Sequence, residues 1–385
     1  MRVIYYTQAF FSDCDFPLIR ELQKKMGDSV RVYIPIQTFR RRSGIIDIKE
    51  LKKNVGIYKA SKYAEFAIYR DYVDLDRIYI INLPDERRRI QDVFIWLYAF
   101  IHMMLFRPQI FHFNWQLEGR ERWLYKLPAV KYMTVHDPIS HSSVKSDREE
   151  ISRLLAFSYV NRFVLLSDVL KKEFSQKYGI SESKIDISRM GEFSHLRIID
   201  KSSSNYDYQY ILFFGQILSY KGLEYLCEAM TRVHTVLPNL HLIIAGRGKI
   251  YFDYSKYEKL SYFHLLNDFI PIVELAQLLQ NALFAVCPYK DATQSGVVQT
   301  AFSCETPMIV TNVGALPKAV INGETGMVIP PCDVDALGKA ITDLASNPSK
   351  LELFKNNIIK KWRPSMEWSS IAKKYIESYN KYNEA

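Results

Sequence analysis

The chain has 385 residues, more than one hydrophobic core usually serves, so two domains are expected; nearly half of the residues are apolar and about a quarter charged, a soluble globular profile. Five cysteines, Cys14, Cys227, Cys287, Cys304 and Cys332, are odd in number, scattered and never spaced as CxxC, which argues against a disulfide framework or a zinc site and fits a reducing cytoplasm. The net charge is +9, and residues 1–200 hold 33 Lys and Arg against 25 Asp and Glu, yet no helix-turn-helix, zinc or RNP signature accompanies this excess, so no nucleic-acid partner is expected.

The N-terminal MRVIYYTQAF has one basic residue and then a short strand-like run, without the long apolar region and small-residue cleavage site of a secretory signal. FPLIRELQKKM follows with helical period. FRRRSG at 39–44 and DERRRI at 85–90 concentrate positive charge, which suits an anionic surface and equally a solvated basic face. The run VFIWLYAFIHMMLF at 93–106 has about 14 residues where a membrane span needs roughly 20, so it reads as a core helix. QIFHFNW and VKYMTVHD read as strands that lead into polar loops, and RFVLLS with DVLKKEFSQKY as strand and helix. The Ser-rich DKSSSNYDYQ at 200–209 is the one clear compositional break and is the expected interdomain linker. Beyond it, YILFFGQ, KGLEYLCEAMTRVHTVL, LHLIIAG and LFAVCPY renew the alternation. Strand–helix alternation means parallel sheets covered on both faces, so the expected fold is α/β, with two doubly wound Rossmann-like domains. Ligands of such sheets bind at the carboxyl ends of the strands.

PYKDATQSGVVQTAF, from Pro288 to Phe302, takes the chain from an apolar strand through a polar elbow into a helix. A helix that begins near Ser295 or Gly296 leaves its first amides unpaired and partly positive, a site for an anion such as a diphosphate. Gly296 admits a phosphate close to the backbone, and Thr293, Gln294 and Ser295 add hydrogen bonds without bulk. Taken alone, the same residues also fit a plain Ser295 cap. FFGQILSYKGLEYL repeats the design, with Gly215 closing a strand and Lys221 and Gly222 opening a helix; a Lys there can neutralise phosphate charge. The Asp pairs of DCD at 13–15, DLD at 74–76 and DVD at 333–335 suggest metal binding, but DVDAL reads more simply as a helix N-cap.

FFGQILSYKGLEYLCEAM, LIIAGRG, FIPIVELAQLLQNALFAVCPY, DATQSGVVQTAF and TPMIVTNVGALPKAVINGETGMVIPPCDVDALGKAI, in this order, resemble the donor half of the GT-B glycosyltransferases, specifically the large retaining group called group 1 or family 4. The likeness is strong over residues 208–350. EWSSIAKKYIESYNKY is similar to the family's closing helix, and RPQIFHFNW and MTVHDP resemble its acceptor-side loops, whereas YYTQAFFSD lacks the glycine pair that many members carry after the first strand. The resemblance implies a GT-B fold of two domains facing across a cleft: an acceptor-binding domain at 1–200, joined by a helix at 363–385 that crosses back, and a nucleotide-sugar-binding domain at 201–362. It implies Lys221 at the donor diphosphate beside Gly215 and Gln216, and the backbone of Gly296, Val297 and Val298 at the distal phosphate. Gly246 and Arg247 would lie near the nucleotide, Phe269 and Ile270 at the base, and His136 at the transferred sugar. Asn114, Trp115 and Asp137 fall in the acceptor-side loops.

The departures are as informative. Gln216 stands where the family usually has Arg. An ungapped register from Pro307 puts Ala292 and Thr300 where it usually has two Glu separated by seven residues; neither is a carboxylate, and Asp291 is the nearest candidate. Gln294 and Gln299 are further polar groups at the elbow; Gln299 and Thr300 differ by about 100° around a helix, so only one faces the ribose, and the register selects Thr300. The expected reaction is transfer of a sugar from a nucleotide-sugar to a glycan or lipid-linked acceptor with retention of configuration, in bacterial surface polysaccharide or glycan biosynthesis. His136, Lys221 and Asp291 carry the catalytic expectation. No metal or other cofactor is expected, because helix N-termini and Lys221 stabilise the leaving diphosphate. The expected location is the cytoplasm, with a peripheral contact between the basic first half and an anionic inner membrane face. Two alternatives stand: a catalytically silent GT-B subunit that binds a nucleotide-sugar or a partner enzyme, and a GT-B nucleotide-sugar epimerase, which needs carboxylates that the elbow lacks.

Overall fold

The computed structural model describes residues 1–36, 55–84, 90–139, 147–199, 206–292 and 296–383. FRRRSG and residues 85–89 of DERRRI lie outside the described residues. The chain forms two units, Met1–Gly191 with Trp368–Ala385, and Glu192–Glu367.

The first unit holds strands β1 (Val3–Tyr6), β2 (Val30–Ile36), β3 (Gly56–Lys59), β4 (Ile78–Asn82), β5 (Ile110–Phe113), β6 (Val130–Val135), β7 (Arg162–Leu165) and β8 (Ile185–Ile187). They lie in the order β3-β4-β2-β1-β5-β6-β7-β8, parallel except for the antiparallel edge pair β3–β4. The apolar VIYY of β1 and IFHF of β5 are buried along their whole length, as a sheet covered on both faces requires. Side chains alternate between the faces of a strand, and β1 accordingly splits. Val3 and Tyr5 join a core with Phe16 and Leu22 of helix Ser12–Met26 and with Trp368 and Ile371 of helix Trp368–Asn383. Ile4 and Tyr6 join a second core with Trp96, Ala99 and Met103 of helix Ile90–Leu105. That helix is only half a core element, because Phe94, Leu97, Tyr98 and Ile101 are exposed. A plain count of apolar residues cannot tell one buried face from two apolar faces.

The second unit holds β9 (Gln209–Phe214), β10 (Leu240–Ala245), β11 (Phe263–Leu266), β12 (Ala285–Cys287), β13 (Met308–Thr311) and β14 (Gly326–Ile329), all parallel, in the order β11-β10-β9-β12-β13-β14. The acidic pairs that can be described serve as caps: Asp333 Oδ1 accepts from the Ala336 N–H (2.8 Å) at the start of helix Val334–Ala345, and Asp74 Oδ1 accepts from the Asp76 N–H (3.0 Å).

The division between units falls before Glu192, upstream of the Ser-rich 200–209 stretch, whose residues 200–205 lie outside the described residues. Packing explains the position. The Phe193 N–H donates to Ser303 Oγ (2.7 Å), Gln280 Nε2 donates to the Ile199 carbonyl (3.3 Å), and Arg363 pairs with both Glu192 (3.4 Å) and Glu305 (2.8 Å), so residues 192–199 and 363–367 stay with the second unit. Helix Trp368–Asn383 belongs to the first. Tyr132 donates its hydroxyl to the Ser378 carbonyl (2.9 Å), Ser378 Oγ donates to Asp186 (2.8 Å), and the fully buried His112 shares a hydrogen bond with the Tyr379 hydroxyl. Tyr379→Phe should therefore lower stability by about 1–3 kcal/mol, because it strands a buried ring nitrogen; a urea midpoint equal to wild type would refute this anchoring.

Candidate functional site

In the second unit the chain runs outward from β9 to β10 and β11, then returns to place β12 on the other side of β9. Strand order reverses there, and in open α/β sheets ligands bind in the crevice outside the carboxyl ends of the strands at such a point. The two polar elbows leave from these two strands. Gly215 follows β9 with φ 103°, and Lys221 Nζ lies 3.2 Å from the place its Cβ would take. Lys221 closes the short turn Ser219–Lys221, and Gly222, in the left-handed region at φ 65°, starts helix Leu223–Val236. A Cβ at Gly222 would overlap the Pro288 carbonyl oxygen, and the Lys290 N–H donates to the Tyr220 carbonyl (2.7 Å). The loops after β9 and β12 are thus zipped together by backbone.

Charge is distributed unevenly over this seam. Lys290 Nζ pairs with Glu224 at 2.8 Å. Lys221 is 7% exposed and has no carboxylate partner among the described residues; its ammonium sits 5.2 Å from the centroid of the Tyr289 ring. Burial pushes its pKa down from the usual lysine value. Burial without a counter-charge is costly, and a face-on aromatic ring offsets only part of it. The position is suited to an anionic ligand.

The neighbouring loops close the crevice. Gly246, after β10, lies so near that a Cβ would overlap the Gly215 carbonyl, and the Ile217 N–H donates to the Arg247 carbonyl (3.0 Å), while the Arg247 side chain is exposed. Phe269 and Ile270, after β11, are half-buried, and the Phe269 amide donates to Asp268 Oδ1 (2.7 Å). At the second elbow Thr293, Gln294 and Ser295 lie outside the described residues. Helix Gly296–Ser303 begins with an exposed Gly296, where a Cβ would meet only the Phe193 ring at 3.9 Å, so no packing neighbour demands a glycine. Val298 is fully buried and Val297 half-buried, which leaves their backbone and not their side chains for a ligand. Thr300 donates its hydroxyl to the Gly296 carbonyl (2.8 Å), whereas Gln299 Oε1 is buried without a hydrogen-bond partner among the described residues. Asp291 and Gln216 are exposed.

In the first unit His136 follows β6. Its ring stacks on Phe11 (4.0 Å between centroids, 16°), its Nε2 is buried without a hydrogen-bond partner among the described residues, and burial pushes its pKa down to about 4. It is therefore a neutral imidazole at pH 7. Trp115 meets Phe10 at 5.8 Å and Phe11 at 5.6 Å. Asn114 is committed to the interior: it accepts from the Gln8 N–H (3.4 Å) and donates to Thr7 Oγ1 (2.8 Å) and to the buried Asp15. The exposed Asp137 accepts at its carbonyl from Arg153 (2.8 Å). Phe10, Phe11 and Arg153 escape sequence reasoning. The missing glycine pair of YYTQAFFSD was the available signal, since bulky rings occupy the turn after β1 instead. Among the described residues no group of three or more His, Cys, Asp or Glu is placed to hold a metal ion.

Comparison with known proteins gives this geometry a class. A sucrose-phosphate synthase from Thermosynechococcus elongatus has 16% identity and a TM-score of 0.66 over 99% of each chain. Anabaena Alr3699/HepE in complex with UDP-glucose has 12% identity and a TM-score of 0.68 over 99% of this chain and 100% of that one. The fold is that of the GT-B glycosyltransferases. Residues 208–347 match the model of the glycosyl transferases group 1. The second unit thus matches the glycosyl transferases group 1, and the chain as a whole has the GT-B fold. A glycogen synthase from Mycobacterium tuberculosis (strain CDC 1551 / Oshkosh) is 26% identical over 172 residues, which are 44% of this chain and 42% of that protein, so the match spans less than half the length of this curated relative.

Two fully buried histidines, His112 and His195, and the half-buried His136 should make the chain acid-sensitive. Burial lowers His112 and His195 to about 3 and His136 to about 4, from the ordinary 6.5. Each is neutral when folded but takes up a proton near 6.5 once unfolded. The unfolded chain then binds more protons, so stability is full above pH ~6.5 and falls as pH drops toward ~4. The expected slope is roughly 1.4 kcal/mol per pH unit for each histidine, read as a urea midpoint that declines through this window; a flat profile would contradict the burial of these rings.

Proposed function

We propose that this chain transfers a sugar from a nucleoside-diphosphate sugar to a glycan or lipid-linked acceptor with retention of configuration, without a required metal. The observation that carries the reading is Lys221, a buried cation with no carboxylate partner among the described residues, at the strand-order reversal of a group 1 domain. As the glycosidic bond breaks, negative charge grows on the leaving diphosphate. An ammonium held in place by two zipped loops stabilises that charge with little reorganisation. The amides at the start of helix Gly296–Ser303 add the partial positive charge of a helix N-terminus, and the open space at Gly296 lets a phosphate come close. His136, neutral and with an Nε2 that has no partner among the described residues, is suited to hydrogen-bond a sugar hydroxyl and unsuited to act as a cation. Asp291, exposed beside the elbow, is the carboxylate assigned to the sugar in place of the absent Glu pair.

The donor class draws support from the structural relative whose complex contains UDP-glucose. No helix among the described residues is long and apolar enough to cross a membrane. A lipid-linked acceptor would bring the chain to the inner membrane face as a peripheral protein. One second reading has its own motivation: Gln216, Ala292 and Thr300 replace ionisable family residues, as in a subunit that binds a nucleotide-sugar without transferring it. Detectable transfer by the purified chain removes that reading.

Thermal-shift measurements across UDP-, GDP- and ADP-sugars should single out one donor, since only a ligand of the folded state stabilises it by mass action. Lys221→Ala should weaken the selected nucleoside diphosphate by at least about tenfold, the loss of a charge-assisted contact of roughly 1.5–3 kcal/mol; an unchanged Kd in a folded variant would sink the donor-site assignment. Transfer should persist in EDTA. Activity lost to chelator and restored by magnesium or manganese would overturn the metal-free mechanism.

A further inference from the structure

Helix Ile90–Leu105 has the sequence IQDVFIWLYAFIHMML and lacks the polar outer face that a surface helix needs. Ile95, Trp96, Ala99 and Met103 point into the core of the first unit. On the other side Ile90 (72% exposed), Phe94 (62%), Leu97, Tyr98, Ile101, Met104 and Leu105 (75%) form a row with Gln91 as its only polar member. Asp92, the one carboxylate of the helix, is buried and paired with Arg120 (2.6 Å). His102 accepts or donates one hydrogen bond with Tyr33 (2.8 Å), and burial lowers its pKa. The exposed row therefore carries no charge along a helix about 24 Å long. Soluble surfaces rarely leave such a stripe uncovered.

The residues at the end of the row indicate what covers it. Phe106 is ringed by arginines: Arg31 stands 4.4 Å and Arg2 5.9 Å from its ring centroid, Arg2 Nη1 donates to its carbonyl (2.9 Å), and the exposed Arg107 follows it in the chain. None of the three arginines pairs with a carboxylate among the described residues. A second copy of this chain brings the same excess of positive charge, 33 basic against 25 acidic residues in 1–200, so self-association through this face meets like charge. An anionic bilayer complements both parts. Its acyl boundary takes the apolar row lying in the membrane plane, and its headgroup phosphates take the guanidinium groups.

We infer that the exposed face of helix Ile90–Leu105, with Arg2, Arg31 and Arg107 at its end, is the surface by which the protein docks on an anionic membrane. The assignment rests on the peripheral-membrane part of the functional reading and makes it specific, while its test is independent of sugar transfer. The full chain is sedimented with vesicles of phosphatidylcholine alone and of phosphatidylcholine with phosphatidylglycerol. Wild type should bind the anionic vesicles and lose most of that binding in high salt. The double variant Phe94→Glu, Ile101→Glu changes only exposed side chains; it should melt like wild type and partition about tenfold or more less well. Arg107→Gln should weaken partition to anionic vesicles by about fivefold and leave neutral vesicles unaffected. Absence of wild-type binding to anionic vesicles overturns the inference, as does undiminished binding by the double Glu variant. A wild-type dimer that the double variant dissociates, with no vesicle binding, reassigns the face to a second copy. A chain that binds a nucleotide-sugar but no vesicle loses this surface and keeps the transfer reading.

Discussion

The second unit is organised around a positive charge kept out of water. A buried ammonium is expensive unless an anion answers it, and Lys221 is flanked by Gly215, Tyr289 and the backbone of two loops, with no carboxylate among the described residues. Nearby Lys290 shows what the fold does with a lysine it means to neutralise: Glu224 pairs with it and also accepts from the Tyr251 hydroxyl. The difference between two lysines so close together is what makes this helix start the proposed ligand site. Gly222 and Gly246 bring loops from adjacent strands into van der Waals contact around the turn that carries Lys221.

The first unit uses burial for another purpose. His112 and His136 are both neutral rings, but their surroundings differ. Both nitrogens of His112 find partners, the Tyr379 hydroxyl and Thr134 Oγ1 (2.8 Å), so the ring serves to hold the C-terminal helix on the sheet. His136 stacks on Phe11, and its Nε2 has no hydrogen-bond partner among the described residues. An orphaned polar atom in a packed environment costs stability. Such a cost at the carboxyl end of a strand is the physical reason for assigning His136, and not His112, to the proposed sugar contact.

Much of the architecture was legible from the sequence, because parallel strands buried on both faces leave continuous apolar runs such as YILFF and LHLIIA, and helices leave their own period. What was not legible depends on contacts remote in sequence. The antiparallel edge strand GIYK carries no signal that sets it apart from its parallel neighbours. The division before Glu192 is set by Ser303, Gln280 and Arg363, all far along the chain, and not by the composition of the Ser-rich segment. At the candidate site, the pattern of strand, glycine and lysine identified Lys221, but not the absence of a carboxylate partner. Register selected Thr300 over Gln299, and the structure adds that the Thr300 hydroxyl is donated to its own helix while Gln299 Oε1 is buried without a partner among the described residues. Run length likewise assigned VFIWLYAFIHMMLF to the interior, because hydropathy does not record which side of a helix meets the sheet.

The unanswered charge of Lys221 has a consequence for how long the protein survives. A fold that keeps an isolated ammonium out of water is weakest without an anion beside it, and on the proposed reading a bound diphosphate would stabilise the folded chain by its binding free energy, of which relief of that penalty is a part. Degradation of transiently opened chains follows the population of the open form. We therefore expect turnover of the protein to follow its nucleotide supply, with a protease half-life that lengthens as nucleoside diphosphate is added and a Lys221→Met chain that needs about tenfold or more nucleotide for the same response. Abundance would then be tuned by metabolite level without any dedicated regulator.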